Sequence, residues 1–166
     1  MCGGLARWLR VLGVDTSFTP DIEDGALIAH ALGEQRVVIS SDHKLFQRRV
    51  FATGELAGVL LPVGLRLRAQ LRFVARCLKL SAGFPRCTVC NGQLRPVPRA
   101  EVADVVPARS LVWVRDFFRC AYCGHVFWEG THWRRIRAVR DELEVLGGET
   151  RPGGRQRGCG PAHEQA

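Results

Sequence analysis

No apolar run in this 166-residue chain approaches the roughly 18–20 residues that a membrane span needs. The longest candidate, residues 57–65, is short and carries Pro62 and Gly64. A signal-peptide pattern is absent as well, because Met1-Cys2-Gly3-Gly4 leads straight into an Arg-bearing amphipathic stretch. A soluble, intracellular (cytoplasmic) protein is therefore expected. Lysine is scarce, with 2 against 22 arginines, and residues 62–80 contain no acid. An even cysteine count is missing too. Seven cysteines argue against a closed disulfide framework. No internal repeat is found apart from a paired cysteine motif.

The remaining composition is that of a globular protein. A hydrophobic fraction of 46% and a charged fraction of 24% exclude a wholly disordered or fibrous chain. The length suits one domain plus a small appendage rather than two full domains. The net charge of +8 suits a polyanionic partner, because counterion release from phosphates favours binding. Composition bias toward Arg codons explains the total charge equally well. Its placement is more telling: Arg66, Arg68, Arg72, Arg76 and Lys79 fall together, and Arg134, Arg135, Arg137 and Arg140 form a second block.

Periodicity predicts an amphipathic helix over residues 4–12, from Leu5, Trp8, Leu9 and Leu12, ended by Gly13. A short strand is expected over 14–19, then a helix over 24–32 capped by Asp24 and stopped by Gly33. Residues 36–40 (RVVIS) and 58–61 (GVLL) read as buried strands, with a helical segment over 44–51 between them. A basic helix follows over about 65–80. Alternating strands and helices imply a parallel sheet with crossover helices. The composition changes near Ser81 to Pro, Cys pairs, aromatics and β-rich stretches such as 111–115. The expected organisation is an α/β domain over 1–80, a cysteine-rich unit with a closing helix over 81–146, and a disordered Gly-rich tail over 147–166.

Cys87-Thr-Val-Cys90 and Cys120-Ala-Tyr-Cys123 each place two thiolates on a tight knuckle. Two such knuckles supply a tetrahedral Zn²⁺ shell with Zn–S bonds of about 2.3 Å. A closed four-Cys shell leaves no open position, so the zinc would be structural. The competing reading is a redox dithiol, which needs a CxxC at a helix N-terminus after a strand. His125, two residues past Cys123, is read as a surface or packing residue.

Asp42 directly follows the first buried strand, and ligands of open α/β sheets bind at the carboxyl ends of strands. Asp24 precedes an apolar helix. Each invites a plain capping reading. Together, beside basic helices, they suggest a Mg²⁺ or Mn²⁺ site, because hard ions take oxygen ligands next to substrate phosphates.

Four blocks (GGLARWLRVLGVDT, DGALIAHALGEQRVVISSDHKLFQRR, PRCTVCNGQL and FFRCAYCGHVFWEGTHWRRI) occur in an order and spacing that resemble the Mut-seven C-terminal RNase domain family. The resemblance covers about residues 1–137. It implies a PIN-like nuclease fold, a parallel sheet with flanking helices, followed by a four-Cys zinc ribbon. By position, Asp24 matches the acid before the second helix. Asp42 matches the acid of the family's TRD step, here Ser40-Ser41-Asp42, with Ser41 in place of the Arg. Cys87, Cys90, Cys120 and Cys123 match the ribbon ligands. The family pattern also has a strand ending in an acid just upstream of the position of Met1, so one strand and one carboxylate are expected to be missing from these residues.

The leading expectation is a metal-dependent ribonuclease with Asp24 and Asp42 as catalytic residues, Mg²⁺ or Mn²⁺ as catalytic ion, structural zinc, and RNA held by Arg66, Arg72 and Arg76, with activity impaired in a form that lacks the acidic strand. The rival is a non-catalytic zinc-ribbon module that binds nucleic acid or protein.

Overall fold

The computed structural model describes residues 2–130 and 133–148. It is a mixed α/β structure with a small parallel sheet and a separate antiparallel one. The N-terminal helix α1 (Gly3–Val11) buries Leu5, Ala6 and Leu9, with Leu12 just beyond its end, and leaves Arg7 in solvent. Gly13 ends it with φ +87°. A Cβ at Gly13 would lie 2.5 Å from the backbone of Gly83, so close chain approach as well as dihedral angle demands glycine. Residues 14–19 do not form the expected strand. Their backbone is satisfied by side chains instead: Arg10 Nε donates to Thr16 O (2.8 Å), and the Thr16 N–H donates to Asn91 Oδ1 (3.1 Å).

After α2 (Asp24–Gly33), strand β1 (Val38–Ser40) leads through two short helices, α3 (His43–Phe46) and α4 (Arg49–Ala52), to β2 (Gly58–Leu60). The strands pair in parallel, with Ile39 opposite Val59. Alternate residues of β1 enter different cores, as strand geometry dictates. Val38 joins Ala31, Leu45 and Leu56, while Ile39 packs with Leu5, Leu9, Val59 and Val74. The RVVIS run is thus apolar because both sheet faces are covered. Gly58 is required where Phe46 crosses the sheet, since a Cβ there would meet the ring at 2.3 Å. The basic helix α5 (Leu67–Leu78) buries Leu71, Val74 and Ala75 against α1.

The cysteine-rich unit is a three-stranded antiparallel sheet of β3 (Leu94–Val97), β4 (Phe117–Cys120) and β5 (Val126–Trp128), with β4 central. Between β3 and β4 lie a 3₁₀ turn (Arg99–Val102) and α6 (Ala108–Trp113). The 111–115 stretch was expected as a strand but instead closes α6, because Leu111 and Val114 turn onto a core of Val102, Val106 and Phe117. Helix α7 (Trp133–Gly148) follows the ribbon in sequence yet packs on α5, placing Val139 and Leu143 in the first core. Residues 147 and 148 therefore belong to α7, and the rest of the expected disordered tail lies outside the described residues. No helix among the described residues is long and apolar enough to cross a membrane.

Candidate functional site

The sequence places each cysteine pair on a knuckle for local reasons. Asn91 (φ +69°) and Gly124 (φ +75°) each follow the second cysteine of their pair and turn the chain through the left-handed region. The knuckle amides of Tyr122 and Cys123 then point at Cys120 Sγ (3.4 and 3.5 Å). The four Sγ atoms lie within 4.8 Å of one another, with Cys87–Cys123 at 3.5 Å and Cys90–Cys120 at 3.4 Å. Zn–S bonds of about 2.3 Å give S···S edges of about 3.8 Å in a tetrahedron, so the set fits a metal such as zinc. Gly92 is packed against the sulfurs, and a Cβ there would lie 2.8 Å from Cys120 Sγ. Burial pushes the Cys87 thiol up to about 12. Burial also raises Cys120, but the Cys123 and Tyr122 amides outweigh it and bring that thiol to about 6. Neither pair sits at a helix N-terminus after a strand, which removes the basis for a redox dithiol. His125 is exposed, and its Nδ1 lies 3.5 Å from Cys123 Sγ outside the four-sulfur set.

The first knuckle is fastened to α1 by Arg10, only 5% exposed. Its Nη1 donates to the carbonyls of Thr88 (3.0 Å) and Val89 (3.1 Å). Asp15 makes a second fastening, to Arg36 (2.6 Å), Arg86 (3.0 Å) and the Asn91 amide (3.0 Å). The hydrogen bond from Arg36 holds the Asp15 carboxyl below its ordinary range. This latch is therefore present at neutral pH and weakens only as pH falls through that lowered value. Replacing Arg10 with Met leaves three part-buried carbonyls without their donor. We expect a loss of about 2–4 kcal/mol in denaturant unfolding; a change within about 0.5 kcal/mol, typical of inert surface sites, would remove Arg10 from this role.

Asp24 and Asp42 both line a groove of about 680 Å³ on the side of β1 away from β2. Its floor is apolar (Leu5, Leu9, Ile39, Val74), and Asp21, Asp24 and Asp42 also line it. Asp42 Oδ1 caps α3, accepting from the amides of Lys44 (2.8 Å) and Leu45 (3.4 Å). Asp24 does not cap α2. It is that helix's first residue and pairs with Arg48 at 3.1 Å. The acids do not form a cluster of three ligand carboxylates among the described residues, where the four cysteines are the one such group. Pairing of β1 with β2 directs Val38 N–H and Ser40 C=O to one side, so the backbone of Ile39 faces this groove. Among the described residues no strand pairs along that edge.

Arg66, Arg72 and Arg76 are exposed on α5, Arg66 at its N-cap and Arg76 in its last turn. Arg72 is engaged by Glu142 of α7, which also holds Arg68 at 2.9 Å.

A family model of the Mut7-C RNAse domain matches residues 1–140. The chain belongs to the Mut7-C RNAse domain family. No curated protein and no solved structure matches it. Membership points to a nuclease-like activity on nucleic acid, and the match runs through both sheets into α7. Within this Mut7-C domain, sequence reasoning found the four clustered sulfurs and two acids on one groove. It missed Arg10, Asp15 and Asn91, which join the two units. Their partners are mostly backbone carbonyls or residues some 75 positions away, and no local pattern announces such contacts.

Proposed function

We propose that this protein is a metal-dependent ribonuclease of PIN-like type whose acidic groove carries the chemistry and whose zinc is structural. The observation that supports it most is the convergence of Asp24 and Asp42 on one groove at the carboxyl end of β1, in a chain whose family is a nuclease domain. Asp42 would hold Mg²⁺ or Mn²⁺ with the oxygen not used in capping α3. Asp24 would exchange its Arg48 partner for the ion, since exposed pairs of that kind contribute only about 0–1 kcal/mol. A bound divalent ion supplies an activated water and a clamp on the phosphodiester. Cys87, Cys90, Cys120 and Cys123 would hold zinc with no ligand position left for substrate.

The groove floor and the open edge of β1 fit one further apolar strand, and the family resemblance implies one ending in an acid. A third carboxylate there would complete the ion site, because Mg²⁺ dehydrates reluctantly and few acids hold it poorly. Hydrolysis of single-stranded RNA by residues 1–166 should be weak, should rise with added Mg²⁺ or Mn²⁺ and should vanish when the ion is omitted. Omission is preferable to chelation, which would also strip zinc. Full cleavage without added divalent ion would reject the reading.

Arg66, Arg72 and Arg76 would contact the phosphate backbone without reading sequence. Their joint replacement by Ala should weaken RNA binding and flatten the plot of log affinity against log salt by up to about 2–3 in slope. The Glu142 contact makes Arg72 the smallest contributor. An unchanged slope in the triple variant would remove α5 from the interface.

A further inference from the structure

Three of the chain's four tryptophans, Trp113, Trp128 and Trp133, line a second groove of about 430 Å³ formed by α6, β5 and the start of α7. Trp128 also packs against the ribbon core, so that ring is partly structural. Trp113 is not accounted for in this way. It is 52% exposed, and it shares the groove with Ser110, one helical turn earlier on α6, while Leu111 and Val114 turn inward. A large aromatic ring held open beside two others is an expensive surface to leave in water.

The charges around it identify the occupant. Arg109 precedes Ser110, Arg115 follows Trp113 by two residues, Arg134 follows Trp133, and Arg137 follows Ile136 of the groove wall. All four arginines are exposed, and none is in an ion pair among the described residues. Asp116 and Glu129 are the acids next to the groove walls in sequence, and Asp141, Glu142 and Glu144 lie farther along α7. Aromatic faces flanked by unpaired cations match a chain of phosphates bearing flat π-faces, whereas an apolar peptide would gain nothing from the arginines.

We propose that the Trp113–Trp128–Trp133 groove is a stacking site for bases of single-stranded nucleic acid, with the flanking arginines on its phosphates. Duplex is excluded from this mode because its bases are already stacked and paired. The site concerns binding alone and stands whether or not the acidic groove cleaves RNA.

The test is fluorescence anisotropy of a labelled single-stranded RNA oligomer and an abasic oligomer of equal length. It uses the zinc-loaded protein at low salt without added divalent ion. Wild type should bind the base-bearing strand at least tenfold more tightly than the abasic one. Trp113→Ala should lose about tenfold on the base-bearing strand and almost nothing on the abasic one, with the salt slope unchanged. Trp113→Phe should restore most of the loss, which a purely structural role of the indole would not produce. Equal affinity for both oligomers in wild type, an unaffected Trp113→Ala, or no binding of single strands at low salt would each overturn the proposal. The last outcome would assign the groove to a protein partner. Abolished cleavage in Asp42→Asn with these affinities intact would leave it standing.

Discussion

Cys90→Ser should release the metal and unfold the antiparallel unit, with loss of its β-sheet signal and exposure of Phe117. Four thiolates on two knuckles are a poor core by themselves: the described sheet has strands of only three or four residues. Its own apolar cluster has four buried members, Val102, Val106, Val114 and Phe117. Metal ligation supplies folding free energy that such a small unit lacks, and structural zinc contributes about 10–16 kcal/mol in zinc-finger peptides. The damage should spread to α1, because the carbonyls that hold Arg10 belong to Thr88 and Val89, between the first two ligands. Elemental analysis of wild type should give one zinc per chain. A folded, zinc-free wild type, or a Cys90→Ser variant with full zinc content, would end this assignment.

Supplying a strand of about five apolar residues ending in Asp ahead of α1 should raise Mg²⁺-dependent RNA cleavage by an order of magnitude or more. The strand would lie parallel to β1 on its open edge, reached by the right-handed crossover that α1 and α2 provide. Two consequences separate this from a nonspecific effect. The Ile39 amide, which faces the groove, should gain protection from hydrogen exchange, and the melting temperature should rise as the half-buried Ile39 is covered. Unchanged Ile39 exchange together with unchanged cleavage would show that the groove does not take a strand.

Legibility in the sequence followed the range of the interactions involved. Helices α1, α2 and α5 and strands β1 and β2 were readable because their apolar spacing records which face is buried. The four clustered cysteines were readable because knuckle chemistry is local. Residues 14–19 and 111–115 were misread for opposite reasons. The first have strand-like composition but are bonded to Arg10 and Asn91, and in the second residues 111–113 finish α6 while Val114, just past its end, is buried. Capping was a plain reading for both Asp24 and Asp42, and only one of them caps. Asp42 caps a helix, whereas Asp24 lies inside the first turn of its helix and reaches Arg48. Capping and metal binding draw on the same side-chain oxygens, so sequence alone left both open.

Asp42→Asn offers the most direct measurement of the metal mechanism. Asn caps helices about as well as Asp, so α3 and the fold should survive while the charge that attracts the cation is removed. In the strand-extended protein, cleavage of labelled single-stranded RNA in saturating Mg²⁺ should fall by about a hundredfold or more, with zinc content and melting temperature unchanged. Cleavage that persists in Asp42→Asn at the wild-type rate would contradict metal-dependent hydrolysis in this groove.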